Sequence, residues 1–167
     1  VYIGGTFTNA SGVTANRIAV WDGGSWSSLG TGTANGLNGT VLAIAVNGSD
    51  VFAAGTFTNA GTTVVRGIAR WDGANWFGLG SGATGSPGAF VSVLLGGSVG
   101  AGGTPMLYAG GNFTSAGGAS VNHIASWDGT SWTSVGFGVS GFSSSIAGPY
   151  VLSLAIFDVG TGPKLYV

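Results

Sequence analysis

Apart from its four tyrosines, the ionisable side chains of this 167-residue chain are five aspartates, one histidine and four basic residues, with no glutamate and no cysteine. General acid–base work needs two titratable groups converging on one substrate, and a metal site needs several convergent ligands. Asp22, Asp72 and Asp128 each sit in a Trp-Asp-Gly triplet, ahead of Gly23, Gly73 and Gly129. That context assigns them to turns, where an aspartate bonds the backbone just ahead of it and the glycine takes the left-handed conformation. Spaced 50 and 56 residues apart, one per repeat, they do not form an acid/base pair. His123 aligns with Arg17 and Gly67, which reads as a solvated loop position open to any residue, with no second histidine beside it. The glycine-rich run at 96–103 lacks the helix and lysine of a phosphate-binding loop. The expectation is a non-enzymatic chain with no catalytic, cofactor-binding or metal-ligating residues.

What remains is amide and aromatic chemistry. Asn9, Asn38, Asn47 and Asn112 each open an Asn-X-Ser/Thr triplet, the form of an N-glycosylation acceptor. Asn112 is the weakest of the four, because it falls inside a predicted strand. Trp21, Trp71 and Trp127 precede the Asp-Gly turn, and Trp26, Trp76 and Trp132 follow it. Two uses fit such a series: filling the wedge between stacked sheets, or presenting platforms on which carbohydrate rings stack. The packing reading places the first set largely buried on a middle strand and leaves the second set more exposed on an outer one.

The elements that must position these residues recur through the chain. VYIGGTFTNASGVTANRIAVWDGGSWSSLG at 1–30 returns at 51–80 and again at 107–136, and Leu165-Tyr166-Val167 begins a fourth copy. The chain is one repeat array, divided at 1–50, 51–106 and 107–164, with a fourth unit starting at 165–167. Steps of 50, 56 and 58 residues are the size of propeller blades or solenoid turns, units that cannot bury their apolar faces alone. Each copy carries four strand signals. The first, VLAIAV at 41–46, FVSVLL at 90–95 and YVLSLAIF at 150–157, is almost wholly apolar, as in a strand covered on both faces. The second spans 1–8, 51–58 and 107–114, and contains Gly5, Gly55 and Gly111 followed by Phe7, Phe57 and Phe113. A glycine recurring in a strand marks close backbone approach or a bulge. The third and fourth form the hairpin around Asp-Gly.

An apolar strand, a strand ending in Gly-Gly, a strand ending in Trp-Asp-Gly and a further Trp-bearing strand resemble the kelch-type β-propeller. The pattern is similar also to the glycine-rich repeats, of GGxFT…IAxWDGxxW form, in large secreted bacterial proteins and in fungal cortical-marker ectodomains. Copy two departs from it, with Ala54-Gly55 for Gly-Gly and Arg66-Gly67 for the Asn-Arg of the first copy. The resemblance implies an all-β fold of four-stranded antiparallel blades, about three of them, within a larger ring or array. It implies no single activity, since kelch-like propellers include enzymes, lectins and scaffolds.

Composition narrows the rest. With 44% hydrophobic and 5% charged residues the chain does not read as disordered. Its isolated basic residues make no nucleic-acid footprint, and no apolar run approaches the roughly 20 residues of a membrane helix. A Thr/Ser/Asn/Gly surface fits an extracellular or cell-surface setting. The strand at Val1–Ile3 and that at Leu165–Val167 occupy one phase of the repeat, so a three-unit ring would give both the same slot. The expected partners are therefore further blades of the same chain or identical copies, and a carbohydrate or protein ligand. The leading expectation is a non-catalytic recognition or scaffold module. Its rivals are a subunit of an extracellular filament or surface layer, and a fragment of a glycan-processing propeller. The expected binding face is the rim carrying the nine-residue connections, 9–17 and its copies, together with the connections at 31–40, 81–89 and 137–149, which vary in length.

Overall fold

A computed structural model describes residues 1–85, 88–100, 102–141 and 149–167; most of the 137–149 connection therefore lies outside the described residues. The chain is all-β, with one 3₁₀ turn at Gly32–Ala34 among the described residues. The first copy forms β1 (Tyr2–Gly4), β2 (Asn9–Ala10), β3 (Val13–Thr14), β4 (Ile18–Trp21) and β5 (Trp26–Ser28). β6 (Val41–Asn47) ends the first copy, and the second forms β7 (Asp50–Gly55), β8 (Asn59–Ala60), β9 (Thr63–Val64), β10 (Ile68–Trp71) and β11 (Trp76–Gly78). Still within the second copy, β12 (Ala83–Thr84) and β13 (Val91–Gly97) follow; the third forms β14 (Met106–Gly111), β15 (Ser115–Ala116), β16 (Ala119–Ser120), β17 (Ile124–Trp127) and β18 (Trp132–Ser134), and β19 (Ala155–Phe157) and β20 (Lys164–Tyr166) follow. Two antiparallel four-stranded sheets result, β6-β7-β10-β11 and β13-β14-β17-β18, flanked by β1-β4-β5 and β19-β20. The sheets stack through their first and second strands, with β6 lying against both β1 and β13.

The apolar first strand is not the most buried element, contrary to its composition. Leu42 and Val46 on β6 are exposed, whereas β7 and β14 are buried along almost their whole length. The reason is position in the sheet: β7 and β14 have a strand on each side, while β6 and β13 are sheet edges. Of the stretch 150–157, only Ala155–Phe157 is a strand, paired with β20 in a register that runs from Ala155↔Tyr166 to Phe157↔Lys164. The second strand also stops at its glycine rather than running through Thr-Phe-Thr. A β-carbon on Gly55 or Gly111 would strike the main-chain oxygen of Thr40 or Phe90, and the facing strands β6 and β13 carry a register shift at this point. One residue earlier, Gly4 lies against Val41 of the next sheet and Gly110 against Val151, on the stretch leading to β19, so neither has room for a side chain.

Beyond the glycine the chain leaves the ladder and carries Phe57 and Phe113 fully under the preceding copy, into clusters with Leu29 and Leu37 and with Leu79 and Ala83. Each such burial is worth about 1.5–3 kcal/mol over an exposed phenyl ring. The nine-residue connections are themselves small hairpins, β2-β3, β8-β9 and β15-β16. Ser11 and Gly12, like Gly117 and Gly118, are both left-handed, the arrangement that matches the twist of a two-residue hairpin.

These hairpins build the junctions between copies. The Gly61 N–H donates to the Gly36 carbonyl at 2.7 Å, and the Gly117 N–H to the Gly82 carbonyl at 2.9 Å. The Trp76 Nε1–H donates to the Leu29 carbonyl at 3.2 Å, and the Trp132 Nε1–H to the Leu79 carbonyl at 3.1 Å. Leu37 bridges Ala60, and Ala83 pairs with Ala116. The second and third copies thus grip their predecessors through the same atoms.

Candidate functional site

Each Asp-Gly turn is a four-residue loop closed by its aspartate. Asp22 Oδ1 accepts from the Gly24 and Ser25 N–H groups, Asp72 Oδ1 from those of Ala74 and Asn75, and Asp128 Oδ1 from those of Thr130 and Ser131, all at 2.7–2.8 Å. Gly23, Gly73 and Gly129 carry φ of 103–112°, a conformation that favours glycine. The backbone N–H donors, those of Gly24, Asn75 and Ser131 foremost, hold the three carboxyls below the usual carboxylate range. The three carboxylates are solvated acceptors bonded within their own loops. Among the described residues no group of three His, Asp, Glu or Cys side chains could hold a metal ion.

The tryptophan pairs pack with tilted rings, their centroids 5.3–5.4 Å apart and their planes at 46–51°. Their burial differs from the expected order. Trp76 and Trp132, on the outer strands, are 6% and 7% exposed, Trp71 is 9% exposed, and Trp21, Trp26 and Trp127 are half-buried. Strand order within a sheet does not decide this. Trp76 and Trp132 are covered by the preceding copy through the Nε1 bonds of the junction, and the Trp26 Nε1–H has no such partner among the described residues.

Trp127 is open for a different reason. Residues paired across an antiparallel sheet share a face, so the rows Ser27-Val20-Tyr2 and Phe77-Arg70-Phe52 each look toward the next copy. Tyr2 and Val20 join Trp71 in one apolar cluster, and that gap is closed. One copy on, Arg70 stands where Val20 stood. Its guanidinium turns to Asp50, 2.7 Å away, and lies over the Phe77 ring, 4.9 Å from its centroid. Between this row and Trp127 opens a cleft of about 330 Å³, rimmed by Asn47, Pro105 and Asp128. The ion pair is 35% and 28% exposed on its two sides. It offers donors and acceptors to a ligand and is worth about 0–1 kcal/mol to the fold.

The cleft opens beside the Asn47–Asp50 turn and the Asp128 loop, on the rim opposite the one expected from the nine-residue connections. Neither Asp50 nor Arg70 stood out in the sequence, where Arg70 reads as one more isolated base. The available signal was the break in repetition, since Arg70 aligns with Val20 and Ser126, and Asp50 with Met106. His123 departs from its reading too. It is half-buried and left-handed (φ 65°), as are Arg17 (67°) and Gly67 (69°), so the position favours glycine rather than any residue.

The four sequons fall into two pairs. Asn9 and Asn47 are exposed, and neither side-chain nitrogen has a partner among the described residues. The Asn38 side chain ties two copies together through Thr58 and Asn59, and Asn112 accepts from the Phe90 N–H and donates to the Gly88 carbonyl. Asn112 lies just past the end of β14 rather than within a strand. Comparison with protein-family models, curated proteins and solved structures finds no match to the chain, so the cleft and the repeat geometry alone bear on function.

Proposed function

We propose that the chain is a non-catalytic, extracellular recognition module of kelch-like β-propeller type, whose four-stranded sheets are blades and whose cleft between the second and third copies binds a small saccharide. The observation that carries this reading is the cleft itself: an indole and a phenyl ring beside a paired cation and anion. A pyranose has an apolar face to lay on an indole and hydroxyls that both donate and accept, which suits an Asp–Arg pair of no net charge better than it suits a free anion. The cleft, at about 330 Å³, is at the small end of ligand sites and fits one or two sugar rings. The aspartates of the Asp-Gly loops, committed to their own backbones, supply no protonated acid for glycoside cleavage.

The test is binding of the purified chain to immobilised neutral and acidic oligosaccharides, repeated with Arg70→Ala, Asp50→Asn and Trp127→Phe. The expected result is saturable binding to neutral glycans, weakened by all three substitutions with folding intact. No binding at millimolar sugar, or binding indifferent to Arg70 and Asp50, overturns the proposal.

A further inference from the structure

We infer that Asn47 is a site of spontaneous modification, which the folded chain converts with water into aspartate and isoaspartate, setting a new carboxylate on the rim of the cleft. Three asparagines precede a glycine: Asn35, Asn38 and Asn47. Glycine has no side chain to shield its amide, so all three sequences permit the glycine nitrogen to attack the asparagine side chain. At Asn47 the Gly48 nitrogen would bond to Cγ, the bond from Cγ to Nδ2 would break, and Nδ2 would leave as ammonia carrying the proton of the Gly48 N–H. Water then opens the cyclic imide at either carbonyl, its hydroxyl going to the carbon and its proton back to the nitrogen. Opening at the side-chain carbonyl gives aspartate, and opening at the main-chain carbonyl gives isoaspartate.

The fold holds two of the three back. Asn38 is exposed yet pinned: its Oδ1 accepts from the Thr58 and Asn59 N–H groups at 2.9 Å, and its Nδ2 donates to Thr58 Oγ1 at 2.9 Å and Asn59 Oδ1 at 3.2 Å. Gly39 behind it is pressed against the Phe57 main chain. Asn35 is half-buried and donates Nδ2 to the Thr14 carbonyl at 2.8 Å, while the Gly36 N–H that would have to attack it is held by the Leu29 carbonyl at 3.0 Å. Asn47 carries none of these restraints. Its side chain is exposed, neither it nor the Gly48 N–H has a partner among the described residues, and a β-carbon on Gly48 would meet nothing within 4 Å. Gly48 is left-handed (φ 61°) and Ser49 is not, the arrangement of a II′ hairpin loop, whose closing bond leaves the first loop residue's N–H free. Asn47 and Asp50 are also the last pair of the β6–β7 ladder, so swinging the Gly48 nitrogen onto Cγ releases one pair at a fraying end. The product lies where charge matters. Asn47 and Asp50, paired across the strands, share a face with Phe52 and Arg70, so the new carboxylate joins Asp50 and Asp128 around the cation of the cleft. Isoaspartate also adds a main-chain carbon ahead of the loop and so disturbs the pairing that holds Asp50 against Arg70.

The test is incubation of the purified chain, folded and in urea, in mildly alkaline buffer made with heavy-oxygen water, followed by digestion with an acid-active protease and mass spectrometry of the peptides around each asparagine. In the folded chain label should enter at Asn47 about tenfold or more faster than at Asn35 and Asn38, which react only from an opened state. Both aspartate and isoaspartate peptides should appear at Asn47, and in urea the three rates should draw together. A more acidic form should accumulate on native isoelectric focusing and be lost in Asn47→Gln, whose longer side chain does not form the imide readily. Equal rates at the three sites in the folded chain overturn the inference, because the fold would then select nothing. The same spread of rates in urea overturns it too, because sequence alone would then set the order. Neither outcome depends on whether the cleft binds sugar, since no ligand is present in the incubation.

Discussion

At the scale of single residues, three non-glycine positions among the described residues are left-handed, Ser11, Arg17 and His123, and they do not cost the same. An L side chain in this conformation costs roughly 1–2 kcal/mol, against roughly 0.5–1 kcal/mol for the extra chain entropy of glycine. Arg17 recovers part of that cost by donating its guanidinium to the carbonyls of Thr6 and Phe7 at 2.8 and 3.2 Å. Among the described residues His123 makes no such bond, and its Nδ1 is buried without a partner there. His123→Gly is therefore expected to stabilise by about 0.5–1 kcal/mol in urea denaturation, while Arg17→Gly is neutral or destabilising. The aspartate loops predict a pH response of definite sign. Asp22, Asp72 and Asp128 have carboxyls lowered by backbone donors, so in acid the unfolded chain binds protons that the folded chain refuses. Their contribution is complete above the unfolded aspartate value, about 3.9, and is lost as pH falls through the lower folded values. Thermal melts between pH 7 and pH 2 should be flat in the upper half and fall below about pH 4, and the fall should shrink when all three are Asn.

At the scale of elements, the repeats are locally alike and differ in what covers them. Trp76→Phe and Trp132→Phe each remove an indole N–H bond to the preceding copy and are expected to cost about 0.5–1.5 kcal/mol beyond the change in packing. Trp26→Phe should leave stability almost unchanged, because its N–H has no such partner among the described residues. Phe57→Ala and Phe113→Ala empty fully buried sites and should cost about 3–5 kcal/mol each, with Phe7→Ala well below them. Equal losses for all three phenylalanines in denaturant titrations would contradict the asymmetry of the faces.

At the scale of the whole molecule, the gap between the first two sheets is filled by an apolar cluster and the gap between the next two is a cleft, and Arg70 brings a charge to the row where the first copy has Val20. Arg70→Val places at this position the valine that the first copy has there. It should close the cleft over Trp127, shift tryptophan emission to shorter wavelength, abolish sugar binding and leave stability within about 1 kcal/mol, since the lost ion pair is half-exposed. Unchanged emission together with unchanged binding would place the ligand elsewhere.

The sequence by itself determined what is local. The Asp-Gly loops, the glycine that ends the second strand and the all-β register follow from turn chemistry and alternation within ten residues, and each is written three times. Tertiary structure decided everything that depends on a neighbouring copy. Trp76 is buried because Leu29, 47 residues away, accepts its N–H, while Trp26, in the same local sequence, stays half-open. The apolar composition of β6 pointed to the centre of burial, yet β7 holds that place because it has a strand on each side and β6 has one. Asp50 and Arg70 became a site only when pairing of β7 with β10 brought them together and stacking set Trp127 opposite. Burial between sheets is a property of two surfaces at once, and a repeat read alone contains only one of them.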